Sequence, residues 1–454
     1  MSRATSSASL GGRVSKKIIG RIAASRMHVR LPGVSWIGRC VRSLGPGLIT
    51  GAADDDPSGI VTYSIVGAQQ GMGLLWLAWP TWPLMAAVQM MCARIGMVTG
   101  QGLGSVFKKK FPRGVVVAVC GALFIANTIN IAADLSGMAD AGEMLSGLSA
   151  YFWIPLFGAG IAFAMVKCRY EVIAMILKWL VLSLFAYVAT AFLVHPDWSE
   201  VMKATFLPGL PKGQKIWEAI VAVLGTTISP YLFFWQSSQE VEEAKAKGTF
   251  RIPRRISAIK TRLVDRMMDV GAGTFLSNLI MFFIILTAAL TLHRQGTTDI
   301  ETSKQAAEAL RPLAGNFAVG LYALAIVAVG LLAIPTLAGS AGYAFSESFS
   351  WPRGLDRKFS QAAAFYSVIL LSVGFGVCMD FIGINPMRFL FWSAVINGVL
   401  APFLLFGILL VAGDAKIMKK ETSSLLNRAV VGLTTLAMFA AALAMFYGAL
   451  RGDS

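Results

Sequence analysis

The stretch Asp54-Asp55-Asp56-Pro57-Ser58-Gly59-Ile60 decides how this chain is read. Three consecutive carboxylates sit inside an otherwise apolar run from about residue 44 to 66. That run is long enough to cross a bilayer, for which a helix needs about 20 residues. Each acidic side chain at that depth costs roughly 2.5–3.5 kcal/mol on insertion. Pro57 has no backbone N–H and Gly59 accepts open dihedrals, so the helix is expected to break here. Broken backbone at that depth is tolerated only where it is buried in protein or lines a watery cavity. Carbonyls at the end of the first half-helix, near Ala53, would then lie free beside Asp56. Oxygen ligands with negative charge make a cation site. A competing reading puts the three aspartates at an extracellular helix end; the apolar residues continuing on both sides argue against it.

Composition extends the membrane reading to the whole chain. Of 454 residues, 56% are hydrophobic and only 14% charged, and the mean hydropathy is +0.65. A soluble domain carries roughly 25% charge. The net charge of +16 could suggest nucleic acid. The basic residues, however, sit in short loops and in the first 43 residues, which hold nine Lys or Arg and no acid. That is the pattern of positive-inside orientation, and no nucleic-acid partner is expected. Part of this tail, with Val14, Ile18 and Ile22 at helical spacing, reads either as an amphipathic surface helix or as a disordered cytosolic segment. No apolar region follows the early charges, so no cleavable signal is expected. The five cysteines read as reduced packing residues. The three histidines lie in the tail and near span ends, which argues against a histidine-rich membrane metalloenzyme.

The expected architecture is all-α, a polytopic membrane protein of about eleven spans. Residues 1–43 form a basic cytosolic tail. Residues 44–412 form a transporter core, and 413–454 add a C-terminal transmembrane helix. Loop charge alternates, placing the N-terminus in the cytosol and the C-terminus outside; the inner (plasma) membrane is the expected location. The sixth span, about 216–243, carries the second anomaly: Gly225-Thr226-Thr227-Ile228-Ser229-Pro230-Tyr231 interrupts an apolar helix. Breaks in spans one and six are the mark of an inverted 5+5 repeat, here about 44–195 against 216–412. Substrate would bind between the two discontinuous helices.

At these residues the sequence resembles the NRAMP family of divalent-metal transporters, over nearly the whole chain from Gly45-Pro46-Gly47 to the tenth span. The family's Asp-Pro-Gly-Asn reads here Asp56-Pro57-Ser58-Gly59, and its Met-Pro-His reads Ser229-Pro230-Tyr231. Its third-span Asp-Leu-Ala-Glu reads Asp134-Leu135-Ser136-Gly137. The resemblance implies the broken-helix fold shared with sodium-coupled amino-acid symporters, no enzymatic activity, no cofactor, and a divalent cation as substrate.

The departures carry information. Asp56 and both prolines are kept. Gly59 replaces the family's Asn ligand and Ser229 its Met thioether. Soft sulfur favours transition metals, whereas magnesium and calcium prefer oxygen. The pattern looks like the NRAMP-related magnesium transporter branch, with a largely hydrated Mg2+ as expected cargo and Mn2+ also accepted. Tyr231 stands at the family's His and Gly137 at its Glu, so the proton relay around Asp134 looks incomplete. Transport not obligatorily coupled to protons is therefore expected. The alternative is a proton-coupled Mn2+/Fe2+ symporter of the ordinary type, which would need a thioether at the site. An organic-substrate carrier fits poorly, because three aspartates repel anions.

The expected metal residues are Asp55, Asp56, Gly59, Thr226, Ser229 and Asn397. Asp56 is a direct or water-bridged ligand. Asp54 and Asp55 cannot share its face if the preceding turn is helical, since neighbours lie about 100° apart; Asp55 shapes the vestibule field or is merely capped. Thr226 offers its carbonyl where the helix unwinds, or simply packs. Ser229 ligates directly or through water. Asn397 either compensates for the family's Gln, which aligns with Ala394, or bonds between helices. Tyr231 gates the pathway or is an interfacial aromatic. Asp140 and Glu143 read as vestibule or cap residues, and Met85, Met90 and Met91 as packing.

Overall fold

The computed structural model describes residues 54–167, 181–209, 215–246, 256–419 and 421–451. The basic tail, the first half of span one with the Ala53 carbonyl, and part of span five lie outside these residues.

The principal helices are α1 (Pro57–Gln70), α2 (Ala78–Thr99), α3 (Leu103–Lys110), α4 (Arg113–Ser146), α5 (Ala150–Lys167), α6 (Phe185–Leu193) and α7 (Trp198–Phe206). After them come α8 (Ile216–Thr227), α9 (Pro230–Ala246), α10 (Ile256–Thr291), α11 (Ala318–Phe349), α12 (Ala363–Asp380), α13 (Pro386–Ala412) and α14 (Leu425–Leu450). No strand occurs among the described residues. Eight helical segments among them are long and apolar enough to cross a membrane. Large apolar side chains such as Phe163, Phe403, Leu436 and Leu443 stand exposed on α5, α13 and α14. A water-soluble monomer does not present so much apolar surface; lipid does cover it.

α1 is the hub. Every residue from Pro57 to Ala68 is buried, and the helix packs on α4, α8, α10 and α13. It begins where the sequence predicts. Asp54 is helical, Asp55 bends, and Asp56 is extended at φ −75°, ψ 171°. Pro57 takes the first helical position, where its missing N–H costs nothing. α1 ends at Gly71, whose φ of +56° suits glycine. The second span consequently starts at Ala78, several residues later than the apolar pattern suggests, after a short 3₁₀ turn at Leu75–Leu77.

The sixth span is likewise interrupted. α8 ends at Thr227, Ile228 leaves helical geometry (φ −118°, ψ 60°), and α9 restarts at Pro230. α8 lies directly on α13, backbone against backbone. A Cβ on Gly225 would strike the Ala394 carbonyl and the Gly398 backbone, and one on Gly398 would strike the Val221 carbonyl. This contact brings Asn397 to the level of the sixth-span break.

Loops expected to share a side do so. Lys110 pairs with Asp414 at 2.5 Å and Arg94 with Glu421 at 3.2 Å. The Lys110 ammonium and the Lys416 backbone N–H, both bonded to Asp414, hold its carboxyl below the usual range. At the other end, Arg294 meets Glu200 and Arg388 meets Glu301.

Candidate functional site

Asp56 caps α1 with its own side chain. Its Oδ1 accepts from the Gly59 backbone N–H at 2.8 Å and from the Ser58 hydroxyl at 2.6 Å. The carboxylate therefore sits at the positive end of a buried helix, where negative charge is favoured. Gly59 lies beside it. A Cβ there would stand 3.0 Å from Thr226 Oγ1, 3.5 Å from Asp56 Oδ1 and 3.5 Å from the Tyr63 ring. Glycine at 59 thus lets Asp56, Thr226 and Tyr63 close together around the start of α1. Thr226 Oγ1 and the Tyr63 hydroxyl are both buried, within reach of each other.

The Ser229 hydroxyl turns back on its own helix, 2.8 Å from the Thr226 carbonyl and 3.1 Å from that of Gly225. Its proton is engaged there, while its oxygen keeps lone pairs to offer. Asn397 is 1% exposed, and neither its amide nitrogen nor its oxygen finds a partner among the described residues. The interhelical bond considered for it is therefore not made there. Tyr231 is fully buried, which corrects its reading as an interfacial aromatic: the α9 start packs inward, within electrostatic range of Asp56 and Asp134.

The three aspartates divide. Asp54 and Asp55 both reach Ser277 on α10, whose Oγ lies 3.0 Å from Asp54 Oδ2 and 2.9 Å from Asp55 Oδ1. Asp55 thus belongs with Asp54 on the α10 side, whereas Asp56 caps α1. This follows from the turn between neighbours that the sequence predicts. Asp134 on α4 is wholly buried with both carboxylate oxygens unpartnered among the described residues, in the field of Asp56 and Asp380. Gly137, one turn further, is covered by Leu390. A Cβ there would meet Leu390 Cδ1 at 2.9 Å.

Ser277, Tyr63 and Met138 escaped sequence reasoning. The polar pair Ser277-Asn278 inside an apolar span was the signal available for the first. Met138 follows Asp134 by one turn, and its thioether rests against Gly330, where Pro57 also packs. Glu143 proves to be a cap, accepting from the Ala150 N–H at 2.5 Å. Met85 and Met91 are buried, as a packing role expects. Among the described residues, no three His, Cys, Asp or Glu side chains converge to hold a metal. Carbonyls, hydroxyls, an amide and water must therefore complete any cation shell at Asp56. A cavity of about 440 Å³ at the C-terminal end of α1, lined by Gln70, His293 and Glu200 among others, contains none of these residues.

A polytopic helical bundle with two interrupted helices meeting at buried, unneutralised oxygens is the design of a membrane transporter, not an enzyme. The family model for natural resistance-associated macrophage protein-like proteins (Nramp) matches residues 47–448, and the chain belongs to that family. It is 25% identical over 402 residues to a divalent metal cation transporter MntH of Aeromonas hydrophila, covering 85% of this chain and 91% of that one. To the MntH of Chromohalobacter salexigens it is 26% identical, covering 93% of each chain. The fold is that of the Eremococcus coleocola manganese transporter, with a TM-score of 0.70, 16% identity and coverage of 93% of this chain and 97% of that one.

Proposed function

We propose that this protein carries divalent metal cations through the membrane by alternating access, with Mg2+ the favoured cargo, Mn2+ also accepted, and no obligatory proton coupling. The metal residues would be Asp56 and Asp55 with Gly59, Thr226, Ser229 and Asn397. The observation that carries the reading is the convergence of buried oxygens at the two breaks, where the Asp56 carboxylate and Thr226 Oγ1 meet around Gly59. Oxygen ligands suit a hard ion of this kind. The relatives named as divalent metal cation transporters support the substrate class. The Leu390 packing over Gly137 supports uncoupled transport, because apolar bulk stands where a second acid would relay protons. The energetics suffice. Two charges crossing 100 mV gain about 4.6 kcal/mol, roughly a thousandfold accumulation or more.

The same reading divides the chain into a basic cytosolic tail (1–43), an inverted-repeat core (44–412) and an added terminal helix (413–454). It sits in the plasma membrane with its N-terminus cytosolic and its C-terminus outside. A second reading, Mn2+ carriage with proton coupling, has Met138 in its favour, a buried thioether packed near Pro57. Purified protein in liposomes separates the two. Under an inside-negative potential, Mg2+ and Mn2+ should both enter while internal pH stays constant. Stoichiometric acidification, or Mn2+ uptake with Mg2+ excluded, would establish the second reading. In the same assay Ser229→Met should raise Cd2+ and Mn2+ uptake over Mg2+, because it adds a soft ligand. An unchanged selectivity series would defeat the oxygen argument.

A further inference from the structure

The turn from α13 to α14 holds a cation and a hydroxyl whose partners are missing. Arg428 stands in the first turns of α14. Its side chain lies across Gly413 at the end of α13, where an added Cβ would stand 3.0 Å from Nη1 and 3.7 Å from Cδ. The guanidinium Nε is buried and has no hydrogen-bond partner among the described residues. Ser423 reaches the same turn, its backbone N–H donating to the Ala412 carbonyl at 3.1 Å. Its side chain is 2% exposed, and the hydroxyl has no partner among the described residues. An arginine here could serve the C-terminal carbonyls of α13. Those of Leu409, Val411 and Ala412, however, already accept from the N–H groups of Gly413, Asp414 and Ser423. The acids of the loop are engaged as well: Asp414 holds Lys110 and the Lys416 N–H, and Glu421 holds Arg94. A buried guanidinium nitrogen and a buried hydroxyl left over in this way call for an acceptor from outside the chain.

The surroundings indicate its chemistry. Leu425 and Leu426, just before Arg428, are both 76% exposed, and Phe406 and Leu410 of α13 are exposed too. This is apolar surface for acyl chains at the level where a spanning helix begins. The opening N–H groups of α14 favour negative charge, and Ser424 caps only that of Asn427. Lys416 and Lys419 stand exposed in the same loop, so a net negative headgroup suits the turn better than a zwitterionic one. We propose that Arg428 and Ser423 hold the phosphate of an anionic phospholipid at the α13–α14 turn. The guanidinium and the hydroxyl donate to its oxygens, and its acyl chains lie on the exposed leucines. In the orientation proposed above the turn is cytosolic, the side on which anionic lipid attracts basic segments. The site is independent of which ion the chain carries.

The test is native mass spectrometry of the purified full chain in detergent, titrated with phosphatidylglycerol, with phosphatidylcholine and with inorganic phosphate. Wild type should bind phosphatidylglycerol about tenfold tighter than phosphatidylcholine, and inorganic phosphate should not displace it. Arg428→Gln should weaken phosphatidylglycerol binding by about tenfold, as expected for the loss of a hydrogen bond to a charged group. Ser423→Ala should weaken it less, by about threefold. Lys109→Ala, at an exposed lysine of α3, should leave it unchanged. Equal binding of the two lipids by wild type would overturn the site. Equal losses in Lys109→Ala and Arg428→Gln would overturn it in favour of diffuse surface charge, and displacement by inorganic phosphate would reassign it to a free anion. Where Arg428→Gln fails to fold, Ser423→Ala decides, since it removes a single hydroxyl: unchanged affinity there would overturn the proposal.

Discussion

Asp56→Ala should abolish cation uptake, to below about 1% of wild type. The carboxylate is buried, lies with Thr226 around Gly59 and carries the charge that would balance the ion. Removing one partner of a buried charge pair costs about 3–5 kcal/mol, or roughly two to four decades of affinity. The same substitution removes the α1 cap, worth about 1 kcal/mol, so lost activity must be separated from lost structure. Asp56→Asn makes the separation. Asparagine caps as well as aspartate, and its amide oxygen can accept from Gly59 and Ser58 in the same way. The Asn variant should fold and melt like wild type and still fail to transport in proteoliposomes. Near-normal flux in either variant would remove the proposed site.

Arg266→Ala should lower stability by about 3–5 kcal/mol, read as a loss of thermal stability on size-exclusion chromatography. Arg266 on α10 joins three carboxylates: Glu240 at 2.6 Å, Asp269 at 2.5 Å, and Glu243. Glu240 and Asp269 are almost entirely buried. Gln236 adds a bond to Glu240 at 2.8 Å. The cluster ties the second half of the broken sixth helix to α10, which also carries Ser277. Arg266→Lys should recover only part of the loss, because a point ammonium cannot replace a planar fork that reaches three acceptors. A melting temperature unchanged in Arg266→Ala would mean that the cluster contributes nothing to the fold.

Much of the fold was legible because insertion energetics are strict. Apolar runs of spanning length, basic loops on alternate sides and two prolines amid polar residues leave few architectures open. The breaks at Asp56-Pro57 and Ser229-Pro230 were readable because proline and small polar residues break backbone hydrogen bonding locally. Ser277, Tyr63 and Met138 were not, since their importance lies in what packs opposite them. Nothing in residues 270–280 says that α10 will face Asp54, and nothing near Gly330 says that Met138 will rest on it. The Gly225–Gly398 contact is another long-range fact, and it is what carries Asn397 to the break. The inward burial of Tyr231 likewise depends on how α9 packs.

The account turns on oxygen at the paired breaks. Anomalous scattering from crystals soaked in Mn2+ tests it most directly. The prediction is a peak at Asp56, between the start of α1 and the Thr226–Ser229 break, with only oxygen and water in its first shell. A peak coordinated by the Met138 sulfur, or lying away from Asp56, would contradict it.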